Sequence, residues 1–384
     1  MTEWHEYPSL LLQLNALTKA RDDLRAHNLY ESYGMRPADD LGQPTEEVRR
    51  ARQPDGTWND LADPHMGAKG TGFGRNVPLS MTVTDVKRLL KPDPRVISRK
   101  LMARDDFKPA GIINALAAAW LQFENHNWFF HGDGVPDKTI DIPLSADDQF
   151  PENPMKIRCT IPLRGEIADG CPAPVFANAE THWWDGSQVY GSGKERQSQV
   201  RTFVDGKVKV DPNGRLPESD IKGIDLTGMQ ENYWVGTGLL HTMFAREHNA
   251  VCDALKKAYP SFDDQRLFEI AVLVVSALIA KIHTVEWTPC VLRHPALQIG
   301  MNANWYGALG ETFQEKFGRI SDNEAISGII GSATDHHTAP FSLTEEFVSV
   351  YRMHPLIPDD WNFFSLESGE HLVKADFTDL QGVH

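Results

Sequence analysis

Leu10, Leu11, Leu14, Leu17 and Leu24 recur at three-to-four spacing and predict a helix over residues 8–30. Its apolar face has two readings: packing on the main body, or touching lipid with Trp4 and Tyr7 at the interface. Leu116, Ala119, Trp120 and Phe123 give a second, broader apolar face and predict a strong helix over 112–130, opened by Pro109-Ala110-Gly111. Helical spacing returns at 231–258, 263–294, 302–316 and 343–353, and one or two helices are expected within 79–106. Pro260 lies just past the first of these and Pro289 disturbs the second. Residues 34–78 are rich in Gly, Pro and Asp and read as an extended arm. Residues 131–180 read as loop with a strand-like piece at Lys156–Ile161. Phe203–Asp211 alternates about Asp205-Gly206, which signals a β-hairpin. With no repeat, low-complexity segment or clear linker, the pattern predicts one mainly α domain over 1–384, with a helical arm at 1–33, a small β-hairpin and long loops.

Composition narrows the function classes. The net charge is −15, from 38 basic and 53 acidic residues, which argues against a nucleic-acid partner and gives no general attraction to anionic membrane. Cys159, Cys171, Cys252 and Cys290 form no CxxC pair, so free thiols in a reducing compartment are expected. The start, Met-Thr-Glu-Trp-His-Glu, has no basic region followed by an apolar core, so no secretory signal is visible and a cytoplasmic protein is expected. The longest apolar run, Ile270–Ala280, is too short to span a bilayer and reads as a buried helix.

Chemistry concentrates in three places. Tyr351 and His354, in Tyr351-Arg352-Met353-His354, are three apart and share a face if the segment is helical. A histidine holds haem iron, and a neighbouring tyrosine can give up an electron and become a radical. Such pairs also arise by chance, so a second histidine must support the reading. Gln122 and His126 are four apart on the predicted 112–130 helix. A neutral imidazole moves a proton of bound peroxide and an amide orients that peroxide, although a lone histidine there also serves simply to pack the helix end. Thr181, Trp183, Asp185 and Ser187 alternate oxygen donors suited to Ca²⁺, or form a polar turn. The charges of Ala245-Arg-Glu-His-Asn249 read as structural ion pairs.

These pieces, in this order, resemble the haem peroxidase–cyclooxygenase superfamily, the animal haem peroxidases, and within it the fatty-acid α-dioxygenases. The resemblance runs through Phe73–Asn76, Trp120–Trp128, Trp184–Ser192, Ala280–Trp287, Gly300–Gly307 and Ser342–His354, almost the whole chain. It implies an animal haem peroxidase-like helical domain holding haem b, with His354 as proximal iron ligand, His126 as distal histidine and Gln122 as its amide partner. It implies Tyr351 as the radical tyrosine and His283 as a holder of the substrate carboxylate. It also implies a candidate calcium site from Thr181, the Trp183 carbonyl, Asp185, Ser187 and Asn127. The implied partners are a fatty acid and O₂. A Tyr351 radical removes hydrogen from the carbon next to the carboxylate, O₂ adds there, and a 2-hydroperoxy fatty acid results. A carboxylate anchor decides which carbon is presented.

Two departures matter. Family members usually carry Asp where this chain has Asn127, which removes a charge from the calcium shell. α-Dioxygenases also continue past the position of His384, so the chain is expected to match their N-terminal portion, without the arginine that meets the carboxylate. The position of a distal arginine in secreted peroxidases has no Arg here, Gln230 being nearest by spacing. The competing expectations are a peroxidase oxidising small reductants and an inactive fragment that keeps the fold. Peripheral membrane contact through residues 1–30 is a further expectation.

Overall fold

The computed structural model describes residues 3–27, 39–78, 81–82, 86–160, 162–163, 175–332, 342–352 and 354–380. The last residues of the predicted first helix (28–30), the start of the extended arm (34–38), Ile161, Cys171 and Met353 lie outside them. The protein is mostly helical, as the periodicity predicts, with 44% helix against 9% strand. The chain divides into two compact units, one of residues 1–28 and 273–341, the other of 29–272 and 342–384.

In the smaller unit the leucine-rich helix runs Leu10–His27 and packs on a helix at Pro295–Tyr306. Leu14 and Leu17 reach over Gly300, where an added Cβ would lie 3.7 Å from Leu17 Cδ1. Leu11 and Leu24 of the same helix stay 76% and 60% exposed. Trp4 is half-buried, its ring edge-on to His294 at 4.8 Å. The predicted 302–316 helix is two, Pro295–Tyr306 and Glu311–Phe317, parted at Gly307. Gly307 has φ +89°, and a Cβ there would strike the Ile326 carbonyl oxygen at 2.2 Å. An L side chain rarely adopts that φ, and the close backbone leaves it no room.

The Ile270–Ala280 run lies within the helix predicted over 263–294. Asp264–Val291 is one continuous helical stretch of 28 residues. Among the described residues it alone has membrane-crossing length and apolarity, a test that core helices of soluble proteins also pass. Pro289 does not break it. The turn ahead of it, Ile282–Trp287, widens to a π-helix. Proline lacks an N–H and crowds the carbonyl four residues back, and a widened turn relieves both constraints.

In the larger unit the predicted 112–130 helix forms over Leu116–Trp128 and is buried on most of its faces. It packs against Val235–Ala258, where Phe123 stacks on Phe244 with centroids 5.2 Å apart. The Asp205-Gly206 turn forms with both residues at positive φ, 52° and 74°, and Lys207 N–H donating to Val204 O. Its flanks make only the single bridge Arg201↔Val208 rather than a ladder. The turn is held by the helices instead: Gly206 N–H donates to Asp264 and Gly206 O meets His248 Nε2 at 2.8 Å. A Cβ at Gly206 would sit 2.6 Å from Phe268 N, so only glycine fits.

Strands appear in two antiparallel pairs. Thr139–Ile142 pairs with Met155–Arg158, so the strand predicted from Lys156 forms one residue earlier and ends at Arg158. Asp360–Phe364 pairs with His371–Asp376, with an irregularity between Phe363 and Phe364. The predicted 343–353 helix is shorter, Glu345–Val350, capped by the Thr344 hydroxyl on Phe347 N–H. Tyr351 leaves helical geometry at φ −82°, ψ 66°, and His354 opens a separate 3-10 turn, His354–Leu356. Tyr351 and His354 therefore do not share a helical face. Pro355 disfavours helical geometry at the residue before it, so a helix carried through His354 was not available.

Candidate active site

Three of the expected residues line one cavity in the larger unit. It has a volume of about 1000 Å³, and Gln122, His126 and His354 are in its wall. That size suits a large cofactor or ligand.

His126 comes from the last turn of the 116–128 helix, a segment that buries ten of its side chains and so fixes the ring. Burial lowers the His126 pKa to about 4, which keeps the imidazole neutral. Its orientation follows from a chain of hydrogen bonds. Trp234 Nε1–H donates to Gln122 Oε1 at 2.7 Å, which decides which end of the amide is oxygen. Gln122 Nε2 then donates to Asn232 O at 2.9 Å and faces His126 Nε2 at 3.3 Å. His126 Nε2 is thus the acceptor and the ring proton sits on Nδ1. That leaves Nε2 the basic atom, beside an amide on the cavity wall. Nδ1 is buried without a partner.

Behind His126 lies a second buried imidazole, His241, with ring centroids 6.3 Å apart and planes at 29°. Burial, reinforced by His126, pushes its pKa well down. Asn125, also on the wall, donates to Tyr351 O at 3.2 Å and so ties the distal helix to the segment that leads to His354. That segment is held from outside by Arg104, which donates to Pro355 O and Ile357 O at 2.8 Å and to Asp359 at 2.6 Å. His354 itself is exposed on its short turn.

Tyr351 is placed differently. Its ring stacks on Phe347, centroids 4.8 Å apart at 19°, and leans on Trp128 at 5.7 Å. It belongs to the aromatic cluster around Phe73, Trp128, Phe129 and Val348, and its neighbour Arg352 is the one in the cavity wall. His283 lies in the smaller unit, half-buried in the π-helical turn and stacked on Trp287 at 6.1 Å. Burial lowers its pKa to about 4. The remaining residues, Asn127, Thr181, Trp183, Asp185 and Ser187, assemble at the C-terminal end of the distal helix in a mutual hydrogen-bond set.

The cavity fits haem on its own chemistry. Two imidazoles line it, and apolar walls such as Leu121, Phe129 and Trp234 suit a macrocycle. Arg196 and Arg352 in the same wall suit its carboxylates. Sequence spacing missed Trp234, Asn232, His241 and Arg104. Each acts across more than a hundred residues, so no local pattern announces it.

The chain is 39% identical over 358 residues to Alpha-dioxygenase PIOX of Pisum sativum, covering 93% of this chain and 54% of that protein. It is similar in structure to the fatty acid alpha-dioxygenase of Arabidopsis thaliana, with TM-score 0.88 and 32% identity over 99% of this chain and 59% of that one. A crystal structure of the Oryza sativa fatty acid alpha-dioxygenase with palmitic acid gives TM-score 0.85 and 34% identity, over 98% of this chain and 62% of that one. The chain thus spans somewhat more than half the length of the relatives it matches. The pattern of the animal haem peroxidase family matches residues 51–380. The chain belongs to the animal haem peroxidase family.

Proposed function

We propose that the chain carries the catalytic site of a haem-dependent fatty-acid α-dioxygenase. The observation that carries this reading is the Trp234–Gln122–His126 hydrogen-bond chain, which presents a neutral, basic Nε2 to a haem-sized cavity that His354 also lines. The likeness to alpha-dioxygenases, one of them solved with palmitic acid, supports the substrate class. Haem b, held by His354, would supply one-electron oxidation driven by peroxide.

The chain's own residues divide the remaining work. His126 Nε2, exchanging its bond from Gln122 for the peroxide O–H, takes the peroxide proton and returns it to the leaving oxygen, while the Gln122 N–H so released orients the bound peroxide. Tyr351, having lost one electron and its phenolic proton, removes a hydrogen atom from C2 of the fatty acid. O₂ adds to that carbon. The peroxyl radical takes the hydrogen back from the Tyr351 hydroxyl, so the fatty acid and O₂ become a 2-hydroperoxy fatty acid and the tyrosyl radical is restored. Stacking on Phe347 and contact with Trp128 give the phenol a fixed, half-buried setting.

Tyr351→Phe separates this reading from a simple peroxidase. It should abolish oxygen uptake with a fatty acid and leave peroxide-dependent oxidation of a small reductant intact. Fatty-acid oxygenation that survives the change removes Tyr351 from the mechanism.

Peripheral membrane contact through residues 1–30 is a second proposal, supported by the exposure of Leu11 and Leu24 on the first helix. Co-sedimentation with phosphatidylcholine vesicles should weaken in a Leu11→Glu, Leu24→Glu chain. Equal binding removes that helix from consideration.

A further inference from the structure

A calcium ion is the family's expected occupant of the loop at Thr181–Ser187, and the fit can be tested atom by atom. Ca²⁺ takes six to eight oxygen ligands, and carboxylates carry most of the affinity. Here Asp185 is the single carboxylate among the five expected ligands. Among the described residues no group of three or more His, Cys, Asp or Glu is arranged to hold a metal ion.

The donors are also already used. Thr181 Oγ1–H donates to Asp185 Oδ2. Ser187 N–H donates to Asp185 Oδ1 and to Asn127 Oδ1, both at 3.0 Å. Ser187 Oγ–H donates to Asn127 O at 3.2 Å. The bond from Ser187 N–H fixes the Asn127 amide, because only oxygen accepts there. Its Nδ2–H₂ end must then point at Trp183 O, and does so at 2.8 Å. An N–H donor is not a metal ligand, and here it occupies the carbonyl the cation would need. No side-chain atom of Asn127, Thr181, Asp185 or Ser187 is among the buried polar atoms left without a partner. Burial raises the Asp185 pKa, and the Thr181 hydroxyl and the charge of Arg52, which also donates to Trp184 O at 3.0 Å, offset part of that rise. These residues do not fit calcium.

We propose that Asn127 is a positioning residue that fastens the distal helix to the 181–187 loop by hydrogen bonds, in the role a bound cation would otherwise fill, so that His126 is set without calcium. The coupling is direct. Asn127 follows His126 in the last turn of its helix, and its side chain, its carbonyl and the loop form a closed ring of bonds through Ser187. A carboxylate at this position would turn an oxygen, not an N–H, toward Trp183 O. Two acceptors 2.8 Å apart repel, and a second buried negative charge would stand beside Asp185. A cation would then be required, and the Asn amide removes the requirement.

The test uses the full haem-loaded chain and its Asn127→Asp variant, each stripped with a chelator and then given calcium chloride. Metal content, melting temperature and the Soret spectrum are read. The wild-type chain should retain far less than one calcium per chain, and its melting and spectrum should not change with either treatment. Asn127→Asp should melt lower with chelator, with a disturbed Soret band, and calcium should restore both by several degrees and to the wild-type shape. Stoichiometric calcium in the wild-type chain with a loss of melting temperature on chelation overturns the proposal. So does a folded Asn127→Asp chain that stays indifferent to calcium. If that variant fails to fold under both conditions, the wild-type metal content and melting decide alone.

Discussion

The two histidines that reach the cavity are held in opposite ways. His126 is 6% exposed, and a Trp234–Gln122 chain and the Asn127 ring fix its helix from both sides. His354 is exposed on a three-residue turn, closed by Ile357 N–H on its carbonyl at 3.1 Å and held from outside by Arg104 on the Pro355 and Ile357 carbonyls. A proton-moving group needs one fixed tautomer and one fixed direction, which a packed helix end provides. A group that ligates iron gains its direction from the bond it forms, so a looser turn suffices before the metal arrives. In the proposed function, the distal side is then built in advance and the proximal side is completed by the iron it holds.

The comparison is broken most directly at the two histidines. His354→Ala should abolish tight haem binding in a Soret titration. His126→Ala should keep haem and lower peroxide turnover by about 10²–10⁴-fold. If His126→Ala lost haem and His354→Ala kept it, the assignment of sides would be reversed. Arg104→Ala sharpens the proximal half. It frees the turn after His354 and should weaken haem binding roughly 10-fold, with distal turnover per bound haem unchanged. On the distal side Trp234→Phe removes the N–H that orients Gln122. Turnover of peroxide should fall about 10-fold with haem affinity intact, in line with one lost hydrogen bond; a normal rate would show that the amide needs no such support.

The smallest effect concerns pH. Burial pushes the Glu180 carboxyl, beside the distal loop, up to about 7. The folded chain then holds a proton that the unfolded chain releases from the ordinary carboxylate range upward, so stability falls as pH rises through that window to about 7. Glu180→Gln keeps an acceptor for the Ser192 hydroxyl and cannot ionise. Its melting temperature should exceed wild type at pH 8 by a few degrees and match it near pH 4.5. A gain of equal size at both values would point to packing rather than ionisation.

The same contrast explains what the sequence made legible. Gln122 and His126 were readable because a long apolar face fixes a helix, and a helix fixes which residues are neighbours. Asp205-Gly206 was readable because a turn needs only its own two residues. The shared face of Tyr351 and His354 was misjudged because it assumed a helix that stops at Val350, ahead of Pro355. The Asp360–Asp376 hairpin is hard to read because its Ser365–Glu370 connection is longer than a two-residue turn, although Ser368-Gly369 within it marks a turn. Trp234 and Arg104 were invisible because their partners lie 112 and 251 residues away. The Asn127 substitution was visible as a lost charge, but only the fixed amide shows what replaced it.

The measurement that tests the central claim most directly is oxygen consumption by the haem-loaded chain after addition of palmitic acid. Rapid uptake, with a 2-hydroperoxide or the aldehyde one carbon shorter as product, is the predicted result. A chain with a normal haem spectrum and peroxide turnover that consumes no oxygen with saturated fatty acids of any length would contradict it.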